Sequence, residues 1–206
     1  MHIALIYMAS GFSRRFGGNK LLAPLAGKPL YRHGFDQLQD AARRISVSLS
    51  CSCCLYVVSQ YDEILSWCRA HGAVAVKNPA AEAGMAASVR LGVEASDAAD
   101  AWAFFAADQP FLSGKTISDF VMQYAQSGCG IGCAVSGCRR GSPAIFSHVY
   151  KDELLALQGD KGGRAILEKY KDDLWSFTMP EGELCDIDTR DDWEAAERQL
   201  EKKRLD

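Results

Sequence analysis

Ile3-Ala4-Leu5-Ile6-Tyr7-Met8 runs directly into Ala9-Ser10-Gly11-Phe12-Ser13-Arg14-Arg15-Phe16-Gly17-Gly18-Asn19-Lys20. An unbroken apolar run ending at a glycine-bearing loop reads as a strand buried on both faces, the mark of a parallel sheet. Glycines at 11, 17 and 18 let backbone N–H groups come close to a ligand where side chains would block approach. Arg14, Arg15 and Lys20 add positive charge beside those donors, which suits a polyphosphate. On composition alone, a solvated cationic surface loop is an equal alternative.

Two familiar phosphate loops are excluded by spacing. A Walker loop requires Gly-Lys-Ser/Thr, whereas Lys20 lies between Asn19 and Leu21. The dinucleotide fingerprint requires Gly-x-Gly-x-x-Gly, and the residue two beyond Gly11 is Ser13.

Downstream, strand and helix patterns alternate. After a connector containing Pro24, Gly27 and Pro29, a helix places Tyr31, Phe35, Leu38 and Ala42 on one face. Cys53 to Val58 reads as a second strand, Tyr61, Ile64, Leu65 and Cys68 mark a helix stopped by Gly72, and Ala73 to Val76 is a third strand. Asn78-Pro79 breaks it, and Gly84-Met85-Ala86-Ala87-Ser88 opens a helix whose first N–H groups suit an anion. Ala101 to Ala107 is a fourth strand ending in Asp108-Gln109-Pro110, and Ser113 caps a helix burying Ile117, Phe120, Val121 and Tyr124. This alternation predicts an α/β fold with a mostly parallel sheet covered on both faces and ligands at the carboxyl ends of its strands.

The remainder changes character and predicts a mixed sheet. Gly130 to Val135 is strand-like, Arg139-Arg140-Gly141-Ser142-Pro143 reads as a cationic turn, and Ala144 to Phe146 as a short pairing strand. Leu154, Leu155 and Leu157 suggest a helix, Ala165 to Tyr170 another, and Trp175 to Thr178 a strand. Thr189 with Asp192 resembles a capping box for a final helix carrying Trp193, Ala196 and Leu200.

The 206 residues fit a single domain spanning 1–206. A net charge of -3 disfavours broad nucleic-acid binding, although a local cationic pocket for a small anion is compatible with it. Met1 and His2 lead into a short apolar run with no basic leader, and no stretch reaches membrane-spanning length, so a cytoplasmic protein without membrane contact is expected. The eight cysteines lack the paired spacing of a structural zinc site and read as reduced, partly buried thiols.

Asp108, at a strand's carboxyl end, is a candidate magnesium ligand, with a backbone-capping turn residue as the equal alternative. Asp186 and Asp188, one residue apart, point the same way if extended, yet Asp188 equally suits the following helix terminus. Arg140 and Arg164 would by default be solvated surface cations. His2, His33, His71 and His148 show no spacing that suggests a metal triad or a catalytic base.

Ala-x-Gly-x-Ser-x-Arg-x-Gly-x-x-Lys after the first strand resembles the signature of the MobA-like nucleotidyltransferases, and within them most the molybdenum cofactor cytidylyltransferase (MocA) branch. Ser10 stands where that branch usually has Ala, and Phe16 where it has Met. The similarity extends through Lys28-Pro29-Leu30, Asn78-Pro79, Gly84-Met85 to Ser88, Asp108-Gln109-Pro110, Arg140 to Pro143, Gly159-Asp160-Lys161-Gly162 with Arg164, and Asp186-Ile187-Asp188-Thr189.

The resemblance implies a Rossmann-like three-layer α/β/α nucleotidyltransferase fold with a mostly parallel mixed sheet. It implies that Ala9, Ser10, Gly11, Asn78 and Ser88 bind nucleotide, that Arg15 and Lys20 hold its phosphates, and that Asp108, with Asp186 or Asp188, holds Mg2+. Arg140, Ser142 and Arg164 would bind the acceptor; relatives often carry His or Asn at position 142. The implied reaction transfers CMP from CTP to molybdenum-bearing molybdopterin with release of pyrophosphate, and a molybdenum hydroxylase apoenzyme is a candidate recipient. An ionised acceptor phosphate needs no histidine base. Ala9-Ser10-Gly11 is nearer the Ala-Ala-Gly of cytidylyl enzymes than the Ala-Gly-Gly of guanylyl ones. Guanylyl transfer, another acceptor, or a non-catalytic molybdopterin or nucleotide carrier are the alternatives.

Overall fold

A computed structural model of the chain describes residues 1–13, 16–47, 51–137 and 139–205, with backbone alone at 139, 140 and 203–205. In chain order the elements are β1 (His2–Met8), a small hairpin of β2 (Pro24–Leu25) and β3 (Lys28–Pro29), α1 (Leu30–Ser46), β4 (Ser52–Ser59), α2 (Asp62–Ala70), β5 (Val74–Lys77), α3 (Met85–Ala95), β6 (Ala101–Ala106), α4 (Gly114–Ser127), β7 (Ile131–Ser136), β8 (Arg139–Ser147), α5 (Lys151–Leu155), α6 (Arg164–Lys169), β9 (Leu174–Thr178) and α7 (Arg190–Leu205).

The main sheet has the order β5-β4-β1-β6-β8-β7-β9. β8 pairs antiparallel with both β6 and β7, and every other pairing in this sheet is parallel. From β1 the chain winds outward through β4 to β5, then returns to place β6 on the other side of β1. That reversal opens a crevice between the loops following β1 and β6, where ligands of open α/β sheets bind.

The central strand shows why both faces are covered. Ile3, Leu5 and Tyr7 enter one core with α1, α2, α4 and α7, while Ala4 and Ile6 enter the other with α3, α5 and α6. Side chains alternate across a strand, so an unbroken apolar run serves two layers at once. Fully burying a side chain such as Phe35 contributes roughly 1.5–3 kcal/mol. Gly34 of α1 lets the helix approach β1 closely: a Cβ there would lie 2.6 Å from the Tyr7 hydroxyl, which donates to Tyr31 O at 2.7 Å.

The expected helix faces and caps are present. Tyr31, Phe35 and Leu38 are buried on α1, with Ala42 half-buried, and Ser113 Oγ accepts the Thr116 N–H at the start of α4. The Thr189 and Asp192 capping box forms reciprocally ahead of α7. The described cysteines are free thiols; burial pushes Cys53 up to about 11 and Cys68 up to about 12, leaving both protonated and unreactive. Cys138 lies outside the described residues.

One segment differs from expectation. Arg139 to Pro143 is the first half of a nine-residue strand, β8, and not a turn; the turn falls at Gly137, with φ of 58°. The pairing partner jumps from Ala144 opposite Cys133 to Gly141 opposite Ala134, leaving Ser142 and Pro143 in a bulge. A bulge accommodates a proline, which has no N–H for the ladder, and re-aims the neighbouring side chain. The cationic, proline-containing composition hid this first half, while Ala144 to Phe146 pairs as expected. Among the described residues no helix is long and apolar enough to cross a membrane.

Candidate active site

The strand register brings the predicted loops together. Met8 pairs with Val58 on one side and Ala106 on the other, and Val58 pairs with Val76, so Ala9, Asn78 and Asp108, with Ser59 at the end of β4, lie where the strands end at one level. Ser59 Oγ donates to Ala9 O at 2.7 Å, Gln60 Nε2 to Ser10 O at 2.7 Å, and the Tyr61 hydroxyl to Gly11 O at 3.0 Å. Three successive peptide units of the first loop are thus oriented from the end of β4. Asn78, 1% exposed, donates through Nδ2 to Ser88 Oγ at 3.0 Å and Ser10 Oγ at 3.3 Å, and accepts the Ala80 N–H. The Ser10 hydroxyl donates to Val58 O, so the departure from alanine is absorbed by the scaffold.

Lys20 is the electrostatic centre. Its buried ammonium donates to Asp108 Oδ2 at 2.8 Å, Asp188 Oδ1 at 3.3 Å and Ile187 O at 2.6 Å, which matches the donor capacity of an ammonium. Ile187 N–H also donates to Asp108 O at 3.0 Å, so the segment carrying Asp186 and Asp188 is pinned to the end of β6. Asp186 instead takes a 2.8 Å hydrogen bond from Gln109 Nε2. Desolvation, then the nearby charge of Asp108, raises the pKa of Asp186; Gln109 and Lys20 oppose that shift. Asp192 is held below the usual carboxylate range by the Thr189 hydroxyl and N–H.

These residues border a cavity of about 460 Å³ lined by Ser10, Gly11, Lys20, Ser88, Asp108 and Asp188, among others. The size suits a nucleotide-scale ligand. A second cavity of about 290 Å³ abuts it, with Met8, Met85 and Asp160 on both walls. Ser142 and Arg164 line the second cavity; Ser142 Oγ is buried without a protein hydrogen-bond partner, and the exposed Arg164 pairs with Glu168. Arg14, Arg15 and the side chain of Arg140 lie outside the described residues. Ala9, Asn78 and Asp186 do not line the first cavity; Asn78 bonds Ser10 and Ser88, which do, and Asp186 is held by Gln109.

The profile of the MobA-like NTP transferase domain matches residues 5–174. The chain belongs to the MobA-like NTP transferase family. It is therefore a nucleotidyltransferase by family, and solved structures share its fold. A manganese complex of Rv0371c from Mycobacterium tuberculosis H37Rv aligns with a TM-score of 0.74 at 20% identity, covering 96% of this chain and 99% of that one. A Methanothermobacter nucleotidyl transferase aligns at 0.79 and 18%, covering 98% of each chain. Molybdopterin-guanine dinucleotide biosynthesis protein A from Archaeoglobus fulgidus aligns at 0.66 and 17%, covering 98% of this chain and 100% of that one. No curated protein matches the sequence.

The donor set of the family site fits a magnesium ion. Asp108, Asp186 and Asp188 offer only oxygen, the donor type that magnesium prefers, and burial, then the charge of Asp108, raises the pKa of Asp186. The described residues contain no group of three or more His, Cys, Asp or Glu able to hold a metal by themselves. Magnesium bound by one or two carboxylates and completed by phosphate oxygens and water needs no such group.

Glu82 borders the first cavity without having been singled out in sequence, and Met85 and Asp160, quoted there within motifs but given no role, border it too. The signal was Gly84. Its φ is 89°, and a Cβ there would lie 2.5 Å from the Gly159 carbonyl and 2.6 Å from Asp160 Oδ1. Gly84→Ala is expected to cost about 2 kcal/mol through strain and overlap, and so to lower Tm by roughly 4–8 °C. Thermal unfolding checks this, and an unchanged Tm would show that the 159–163 loop yields freely.

Proposed function

We propose that the protein transfers CMP from CTP to the terminal phosphate of molybdenum-bearing molybdopterin, releasing pyrophosphate. The observation that carries this reading is the convergence of Lys20, Asp108 and Asp188 on a nucleotide-sized cavity that abuts a second one bordered by Ser142 and Arg164. In-line transfer requires a donor and an acceptor side by side, with positive charge where the phosphates meet.

In this scheme the oriented peptides of Ala9, Ser10 and Gly11, with Asn78 and Ser88, hold the nucleoside end. Arg15 and the charge of Lys20 serve the phosphates, and the three N–H bonds of Lys20 keep Asp108 and Asp188 adjacent. Asp108, with Asp186 or Asp188, would hold magnesium, which when bound neutralises triphosphate oxygens. Ser142, Arg140 and Arg164 serve the acceptor. The buried Ser142 hydroxyl is suited to a polar group on it. An acceptor phosphate is already ionised near neutral pH, so no general base is required.

The preference for CTP rests on Ala9-Ser10-Gly11, and the choice of acceptor on the family resemblance, supported by the molybdopterin-related name of one structural neighbour. A cytoplasmic, single-domain enzyme acting before a molybdenum hydroxylase apoenzyme fits this scheme. Pyrophosphate release measured with magnesium and molybdenum cofactor across CTP, GTP, ATP and UTP tests it. CTP should exceed the others by about tenfold, equivalent to about 1.4 kcal/mol of discrimination. Preference for GTP would make the protein a guanylyltransferase, and tight binding without pyrophosphate would make it a carrier.

A further inference from the structure

The segment between β9 and α7 carries Asp186 and Asp188 but has no regular hydrogen-bond ladder of its own, so its position depends on individual tethers. Several act close to the acids: Gln109 on Asp186, Asp108 O on the Ile187 N–H, Lys20 on Ile187 O and Asp188, and Asp192 on the Asp188 N–H. A further one lies outside the cavity. Glu183 Oε2 accepts the Ser113 N–H at 3.1 Å, and its Oε1 accepts the Thr116 hydroxyl at 3.0 Å.

Those two donors belong to the start of α4, which follows Asp108 on the same connection. The N-terminal turn of a helix offers unpaired N–H groups and favours a carboxylate. Glu183 uses both properties to fasten the acid-bearing segment to the connection that carries Asp108. Ser113 already caps α4 through its own hydroxyl, so the helix retains a cap without Glu183.

We infer that Glu183 is a positioning residue that sets Asp186 and Asp188 against Asp108 and thereby tunes the affinity of the site for a divalent cation. This inference rests on the nucleotidyl-transfer reading above. Outer partners that orient metal-binding side chains commonly change affinity by an order of magnitude when removed.

Manganese binding to the protein with CTP present, followed by electron paramagnetic resonance, provides a readout independent of turnover. Glu183→Ala should raise the manganese concentration for half-saturation about tenfold, while the KM for CTP at saturating metal stays within about twofold of wild type. Glu183→Gln should recover most of the wild-type binding, since its amide oxygen can accept the Ser113 N–H and its amide N–H can donate to the Thr116 hydroxyl oxygen. Ser113→Ala removes the hydroxyl cap of the same helix but leaves the backbone N–H bound by Glu183. It should lower Tm without moving the manganese curve.

Superimposable manganese curves for wild type and Glu183→Ala, whatever the change in Tm, would overturn the inference and leave Glu183 as a helix cap. If Glu183→Ala fails to fold, Glu183→Asp keeps the charge and shortens the reach; an unshifted curve for that variant would overturn the inference equally. Absence of manganese binding by the wild-type protein with CTP would instead remove the nucleotidyl-transfer reading on which the inference stands.

Discussion

Asp108→Asn should lower magnesium-dependent nucleotidyl transfer about 1,000-fold, equivalent to about 4 kcal/mol of lost transition-state stabilisation. The carboxylate stands at the end of β6 with one oxygen 2.8 Å from Lys20 Nζ, beside the cavity assigned to the triphosphate. Asparagine preserves shape and keeps a carbonyl oxygen for the ammonium, but it removes the charge that would hold a divalent ion. The loss of stability should stay near about 1–2 kcal/mol, because a neutral hydrogen bond replaces a charge-assisted one. Steady-state kinetics with varied magnesium, paired with thermal unfolding, separate the two effects. Retention of wild-type turnover at ordinary magnesium concentrations would remove Asp108 from the metal assignment.

Much of this arrangement was legible from residue order. The run from Ile3 to Met8 announced a doubly covered strand because alternate residues had to enter different cores, and they do. The phosphate-loop spacing and the position of Asp108 then placed two loops at neighbouring strand ends. The direction of Lys20 was not legible: its ammonium engages Ile187 O and two acids, contacts that depend on a chain return 167 residues later. The first half of β8 was also hidden, since Ser142 and Pro143 break the ladder and a local reading of 139–143 meets only charge and proline. Glu183 carried no local signal, because its partners belong to a helix cap 70 residues away. Periodicity reports what each element buries. It does not report which loops the folded sheet makes neighbours.

Lys20→Met should destabilise the protein strongly near neutral pH and much less in mild acid. Removing one member of a buried ion pair commonly costs about 3–5 kcal/mol. Here Asp108 and Asp188 are 26% and 42% exposed, so solvent screening reduces the expected loss to about 2–3 kcal/mol, or roughly 5–10 °C in Tm. The pH dependence follows from Asp186, whose raised pKa means that the folded protein binds its proton more readily than the unfolded chain does. Such a group destabilises the fold as pH rises from the unfolded carboxylate value, near about 3.9, through its folded pKa. Lys20 lowers the pKa of Asp186, so its removal should raise that pKa further and extend the destabilised window upward. Asp192 acts in the opposite sense, its stabilising contribution being lost as pH falls through its depressed pKa. Because Asp192 remains in both proteins, comparing the variant with wild type at each pH largely cancels its effect. The Tm deficit should shrink between roughly pH 7.5 and pH 4.5 as Asp186, whose pKa is raised, takes up a proton and removes charge left uncompensated by the missing ammonium. A deficit of equal size at both values would mean that Lys20 stabilises the site through packing and its bond to Ile187 O, with no dependence on the charge of the acids.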